Sequence, residues 1–303
     1  MEIIYENAVV PYDGTAVVLG DFDGLHTAHT AIIKNGTEYA KRHGLKSGVM
    51  LFEENTKSVL EHTNIELITE NEEKIRLLDD MGLDFAYMVR FDHAFMRKTP
   101  EEFIRYLSDT LRAKAVFAGY DYKFGHMAAG NADTLSKLSE KYGLEAVILP
   151  EMKISGKTVS STYIRSLIKD GRMEEAAEFL GREFSICGKV EKGLQNGRKM
   201  GFPTANVAYS PKIVLPHTGV YAGFTYVRGK RYRSVINVGN NPTFGAKHIT
   251  IESHILGFDS DIYNEYVRVS FVKRIRGDIK FKNTEELKEQ IKKDVKTSES
   301  ILI

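Results

Sequence analysis

Two histidines three residues apart, His26 and His29, close the run Gly20-Asp21-Phe22-Asp23-Gly24-Leu25-His26-Thr27-Ala28-His29, which leaves a strand-like segment and opens a helical one. Residues three apart share a helix face, so both imidazoles can address one ligand. A strand end, a glycine-bearing turn and a helix start together present free N–H groups and the positive end of the helix dipole, a setting for phosphate. Gly20, Phe22, Asp23 and Gly24 are the candidate phosphate-binding positions, and the histidines can stabilise charge on a five-coordinate phosphorus. A metal fits less well, because zinc-binding helical histidines usually sit four apart and bring a glutamate.

Further along, Ser161, Thr162 and Arg165 put two hydroxyls and a guanidinium on one helical turn, suited to a pyrophosphate group. Asp121 lies between Tyr120 and Tyr122 with Phe124 beyond, a set able to stack on and hydrogen-bond a flat heterocycle. In the last third, Gly193, Gly197 and Gly201 can let a loop close over phosphates beside Arg198. Thr204 and Asn206 offer the neutral oxygens that magnesium takes beside phosphate. Glu252 interrupts an otherwise apolar strand, where burial raises a carboxyl toward the range of a general base. Each set has a plainer reading when taken singly: an N-cap, aromatic packing, a self-bonded turn, an edge-strand charge.

The elements that position these residues fall into two textures. Ala16–Leu19, Gly48–Phe52, Phe85–Val89, Ala115–Ala118 and Ala146–Leu149 read as buried parallel strands. Helical patterns separate them, one through Ile75, Leu77, Leu78 and Met81, another through Phe103, Ile104 and Leu107 after a Thr99-Pro100 start. The result is an α/β fold with a doubly wound parallel sheet. Ser160 to Leu180 adds two short helices without a strand, a helical appendix stopped by Gly181. Phe184–Val190, Val220–Val227, Arg231–Val238, Glu252–Leu256 and Tyr266–Phe271 then read as antiparallel strands of a small barrel. A closing helix, Thr284 to Asp294, carries Leu287 and Ile291 on its inner face. The boundary is placed near residue 183, giving domains 1–183 and 184–303.

Three hundred and three residues suffice for two domains, and 42% hydrophobic with 27% charged residues excludes a largely disordered or collagen-like chain. A net charge of +1 gives no global field toward nucleic acid or an anionic membrane. The single cysteine, Cys187, excludes an internal disulfide or a thiolate cluster and reads as a small buried hydrophobe. The acidic N-terminus and the lack of a long apolar run make the cytoplasm the expected location.

With these residues in view, Gly20–His29 resembles the G-x-F-D-G-x-H-x-G-H signature of bacterial bifunctional riboflavin kinase/FMN adenylyltransferases, also called FAD synthetases. Gly119-Tyr120-Asp121-Tyr122-Lys123-Phe124-Gly125 resembles that family's flavin-side motif, and Val159–Arg165 its I-S-S-T-x-I-R. Gly197-Arg198-Lys199-Met200-Gly201-Phe202-Pro203-Thr204-Ala205-Asn206 is similar to its kinase pattern ending G-F-P-T-A-N. Asn237–Phe244, Ile251–Ile255 and Arg274–Arg276 continue in order.

The resemblance implies a nucleotidylyltransferase-like first domain and a six-stranded antiparallel barrel. It also implies ATP, riboflavin and FMN as substrates, magnesium held by Thr204 and Asn206, and Glu252 as base for the ribityl 5′-hydroxyl. Three positions depart from the family pattern: Ala28 for a glycine, Asn55 within Leu51–Thr56 for the T-F-x-P-H-P segment, and Tyr163 for an arginine. They support an alternative in which only the kinase works and the first domain binds flavin or nucleotide and regulates. Self-association stays open.

Overall fold

Apolar runs buried from end to end can face water on neither side, so they belong at the centre of a sheet covered on both faces. The computed structural model describes residues 1–6, 8–53, 65–193, 196–241 and 248–302. Asn55 and the Pro242–Phe244 stretch of the kinase pattern lie outside the described residues. Packing divides the chain into Met1–Ser161 and Thr162–Ile303.

The first unit runs β1 (Glu2–Tyr5), β2 (Thr15–Leu19), α1 (Thr27–His43), β3 (Lys46–Phe52), α2 (Asn71–Asp80), β4 (Phe85–Val89), α3 (His93–Met96), α4 (Pro100–Asp109), β5 (Ala113–Gly119), α5 (Ala132–Lys141) and β6 (Glu145–Leu149), then a hairpin of β7 (Lys153–Ile154) and β8 (Lys157–Thr158). The six-stranded sheet has the order β1-β4-β3-β2-β5-β6, and all its pairs are parallel. β2 is buried at every residue, as expected. β1 was not expected: only Ile4 of its four residues is buried, so it carries no apolar run, and it adds to the sheet edge beside β4.

Alternate residues face opposite layers. Val17, Leu19 and Met50 pack with Phe103, Ile104 and Leu107 of α4, while Ala16, Val18 and Val49 pack with Ile32 and Ile33 of α1 and Leu78 of α2. A capping box fixes the start of α4, with Thr99 accepting from the Glu102 N–H and Glu102 accepting from that of Thr99. From β2 the winding runs outward through β3 and β4, then returns to place β5 on the other flank of β2. β2 and β5 therefore border the switch point, where ligands of doubly wound sheets bind beyond the strand ends.

α6 (Ser161–Lys169) begins on the last residue of the first unit, and α7 (Met173–Leu180) follows it. The barrel comprises β9 (Phe184–Glu191), β10 (Ala205–Ala208), β11 (Gly219–Val227), β12 (Lys230–Asn241), β13 (His248–Ile255) and β14 (Tyr266–Arg276), with α8 (Asn196–Lys199) before β10 and α9 (Thr284–Ile301) last. It closes in the order β10-β13-β12-β11-β14-β9, all antiparallel, which leaves no free edge.

The helical appendix packs with the barrel. Met173, Ala176, Phe179 and Leu180 are buried, α7 lies on β9 and β14, and Lys273 pairs with Glu174 at 2.8 Å. The division by packing thus falls after Ser161, earlier than the texture change near residue 183. α9 extends beyond the expected end at Asp294, and its fully buried residues are polar, Asp294 and Ser298. Arg276 grips both carboxylate oxygens of Asp294 at 2.8–3.1 Å, and Ser298 Oγ donates to the Ser234 carbonyl at 3.1 Å. Cys187 is only half-buried, because it alternates with the inward Ile186 on β9.

Candidate active sites

Beyond Leu19 the chain turns with Phe22, Gly24 and Leu25 in left-handed backbone, at φ of 52°, 83° and 41°. Turns of this kind gather N–H groups into anion-binding concavities. Phe22 and Leu25 take an unfavourable conformation for L-residues, and full burial of both side chains holds them there. At Gly24 a β-carbon would also meet Ile68 Cδ1 at 3.1 Å. Asp23 is 2% exposed, and its Oδ1 accepts the N–H groups of Ile68 and Thr69 at 2.9 and 3.2 Å. That oxygen ties the turn to the chain entering α2. Ser161 Oγ donates to the Asp23 carbonyl at 2.9 Å, bringing this distant candidate to the turn.

His26 caps α1: its Nδ1 accepts the His29 N–H at 3.3 Å. The two rings stack with centroids 3.6 Å apart and planes 12° apart, and Phe22 lies 5.2 Å from the His29 ring. His29 Nδ1 is sealed from solvent and has no hydrogen-bond partner among the described residues. Burial, then the neighbouring His26 and Lys74, hold the His29 imidazole well below its ordinary value, so it is neutral near neutral pH. Lys74 was not among the sequence candidates. Its ammonium enters from α2 and donates to the Asp21 carbonyl at 3.2 Å.

Across the switch point, the loop after β5 carries the flavin candidates. Asp121 is exposed, Tyr122 is half-buried, and Phe124 is 6% exposed. Burial, helped by Asp21, raises the Tyr122 hydroxyl above its ordinary value. Phe124 packs 5.1 Å from Phe103 within the core, so its ring serves packing, and Tyr122 lies nearly parallel to it at 5.9 Å. On α6, Thr162 is exposed and Arg165 half-buried. Tyr163, where the family pattern has arginine, packs edge-on against Phe179 at 5.0 Å.

In the barrel, strand register assembles the second site. Asn206 of β10 pairs with Glu252 of β13, which pairs in turn with Asn237 of β12. On its other side Asn206 pairs with Glu191 of β9. Directly opposed residues share a sheet face, so Glu191, Asn206, Glu252 and Asn237 form one polar row. Glu191 and Asn237 were not among the candidates, since only the register reveals them. Thr204 Oγ1 donates to Glu252 Oε2 at 3.3 Å. Burial raises the Glu252 carboxyl above its ordinary value, opposed in part by the Thr204 bond.

His254 holds the segment before Thr204 in place, its Nδ1 2.8 Å from the Pro203 carbonyl and its ring edge-on to Phe202. Gly193 lets the loop approach closely: a β-carbon there would lie 2.3 Å from Asn206 Nδ2. Gly201 turns with φ of 88°, and Gly197 lies under the Phe202 carbonyl. A cleft of about 240 Å³ opens here, lined by Gly193, Arg198, Thr204, Asn206 and the Phe258–Tyr263 loop. The loop carries no sequence motif and was missed.

No group of three or more His, Cys, Asp or Glu able to hold a metal occurs among the described residues. Thr204 and Asn206 instead offer the kind of hard-oxygen set that magnesium accepts when phosphate completes its shell.

Comparison with known proteins covers both units. Residues 11–163 match the FAD synthetase family and residues 180–302 the riboflavin kinase family. A bifunctional riboflavin kinase/FMN adenylyltransferase of Bacillus subtilis (strain 168) is 34% identical over 286 residues, covering 92% of this chain and 90% of its own. One of Escherichia coli (strain K12) is 33% identical over 298 residues, covering 97% and 95%. A crystal structure named as a macrolide-efflux protein from Streptococcus pneumoniae is 30% identical with a TM-score of 0.89, covering 99% of each chain. Among the described residues of this chain, no helix is long and apolar enough to cross a membrane.

Proposed function

The chain belongs to the bifunctional riboflavin kinase/FMN adenylyltransferase family, and from that premise we propose how its residues divide the two reactions. It is a riboflavin kinase and an FMN adenylyltransferase: riboflavin is phosphorylated to FMN by the barrel, and FMN is adenylylated to FAD by the α/β unit. We take the functional boundary to lie near residue 183; the two family matches end at residue 163 and begin at residue 180.

For the kinase, the observation that carries the assignment is the row in which Asn206 and Glu252 are directly paired, with Thr204 bonded to Glu252 beside the cleft. Thr204 and Asn206 would hold magnesium, which when bound neutralises charge on the ATP phosphates. Gly193, Gly197 and Gly201 let the loop close over the triphosphate, and Arg198 on the cleft wall attracts it. Glu252, its affinity for protons raised by burial, takes the proton of the ribityl 5′-hydroxyl as that oxygen attacks the γ-phosphorus and ADP departs. The bond from Thr204 orients the carboxylate for this transfer.

For the adenylyltransferase, a phosphate oxygen of FMN attacks the α-phosphorus of ATP and pyrophosphate leaves. His26 and neutral His29, stacked at the start of α1, donate hydrogen bonds to oxygens on the reacting phosphorus, with the Gly20–Gly24 turn supplying N–H groups. Asp23 and Ser161 are positioning residues for that turn. Thr162 and Arg165, by their resemblance to the family's I-S-S-T-x-I-R motif, are the candidates for binding pyrophosphate. Asp121 and Tyr122 orient the flavin, whereas Phe124 supports Tyr122 from the core.

The test is variant-specific loss. Glu252→Gln is expected to stop FMN formation while FMN is still converted to FAD, and His29→Ala to do the reverse. Parallel loss of both activities in each variant would contradict the division.

A further inference from the structure

Lys74 stands on the buried face of α2, one turn before Leu78, and has no part in the assignments above. The residue is 8% exposed, yet among the described residues its ammonium makes one hydrogen bond, to the Asp21 carbonyl at 3.2 Å. An ammonium carries three donors. Among the described residues the other two have no hydrogen-bond partner, on a residue largely withdrawn from water.

Among the described residues no ion pair joins Lys74 to the nearby acids. Oδ1 of Asp23 accepts the Ile68 and Thr69 N–H groups, and the charges of Asp23 and Asp21 act on the lysine through space. Burial draws the ammonium below its ordinary value, against the pull of these two acids. A buried, partly satisfied charge is a cost to the fold that a methionine of similar length would not carry. The carbonyl that Lys74 touches belongs to the same turn that leads into His26 and His29, and the lysine is close enough to His29 to lower its basicity.

We propose that Lys74 is a further anion-binding catalytic residue of the first unit, using the donors left over from its Asp21 bond to hold phosphate oxygens of ATP beside His29. This rests on the adenylyltransferase reading of that unit. As the bond from the FMN phosphate oxygen to the α-phosphorus forms and the α–β bridge breaks, the ammonium keeps its proton and offsets charge on the departing pyrophosphate. Lys74 is thus both a turn support and a ligand, and the second role accounts for a charge that the first does not require.

The test compares Lys74→Met and Lys74→Arg with the full-length wild-type chain, using FAD formation, riboflavin phosphorylation and thermal unfolding with and without magnesium pyrophosphate. Lys74→Met is expected to lower kcat/KM for ATP in FAD formation about 100-fold. It should leave riboflavin phosphorylation unchanged, melt at or above the wild-type temperature without ligand, and show a smaller pyrophosphate-induced rise in Tm. Lys74→Arg should recover part of both losses.

A Lys74→Met protein with wild-type FAD formation, or one that melts lower while its pyrophosphate-induced rise stays intact, would overturn the proposal. If the wild-type chain makes no FAD, the reading of the unit fails on its own. The pyrophosphate shift still decides for or against the lysine.

Discussion

Replacing Glu252 by glutamine changes one property of the barrel site at nearly constant shape. The side chain keeps its length, the Thr204 hydroxyl can still donate to the amide oxygen, and the register with Asn206 and Asn237 is a backbone property that the substitution leaves alone. What disappears is the capacity to accept a proton. Positioned general bases contribute about 100- to 10,000-fold, equivalent to roughly 2.7–5.5 kcal/mol of barrier, and riboflavin phosphorylation should fall by that factor.

Stability should move the other way. Burial holds the Glu252 carboxyl above its ordinary value of 4.5, so the folded state favours the protonated form. Its favourable contribution is present below the unfolded-state value and is lost as pH rises through the folded one. At neutral pH the charged side chain is a liability, and Glu252→Gln should melt at or above the wild-type temperature. The assay is FMN formation from riboflavin and ATP, read by chromatography, with calorimetry on the same samples. Kinase activity within twofold or so of wild type would refute the base assignment, since even modest general-base catalysis exceeds that.

His29→Ala should lower FAD formation about 100-fold with FMN formation unchanged, the loss expected for one donor to a reacting phosphate. Because His29 is held well below 6.5, FAD formation should show no loss as pH rises through that value, and a fall there in a pH–rate profile would contradict a neutral donor. Gly193→Ala places a methyl group against Asn206, and roughly 1–3 kcal/mol of overpacking should cost kinase kcat/KM for ATP about 5- to 150-fold, with FAD formation from FMN as the internal control. Chelating divalent cations should stop riboflavin phosphorylation, and Thr204→Val should raise the magnesium concentration needed for half-maximal rate in a titration of that activity alone.

The first turn was legible because its signals are local: a strand, glycines and a capping side chain follow one another in sequence. The barrel motif was legible in the same way through Thr204 and Asn206. What stayed hidden depends on pairing between distant segments. Glu191 and Asn237 join the polar row only through strand register. β10 is four residues long, too short to announce itself beside the Pro203-Thr204 stretch. Lys74 reads in sequence as one more solvated helix lysine, and only its place one turn from buried Leu78 shows otherwise. Phe124 erred in the opposite direction, an aromatic in a ligand loop whose ring turns inward to Phe103. The appendix follows the first domain in chain order, while its apolar face is satisfied by β9 and β14.

The most direct test is a time course of the purified full-length chain with riboflavin, ATP and magnesium, with the flavins separated by chromatography. FMN should appear first and then pass into FAD, and supplying FMN in place of riboflavin should give FAD without a lag. Accumulation of FMN with no FAD from either starting flavin would contradict two active sites on one chain.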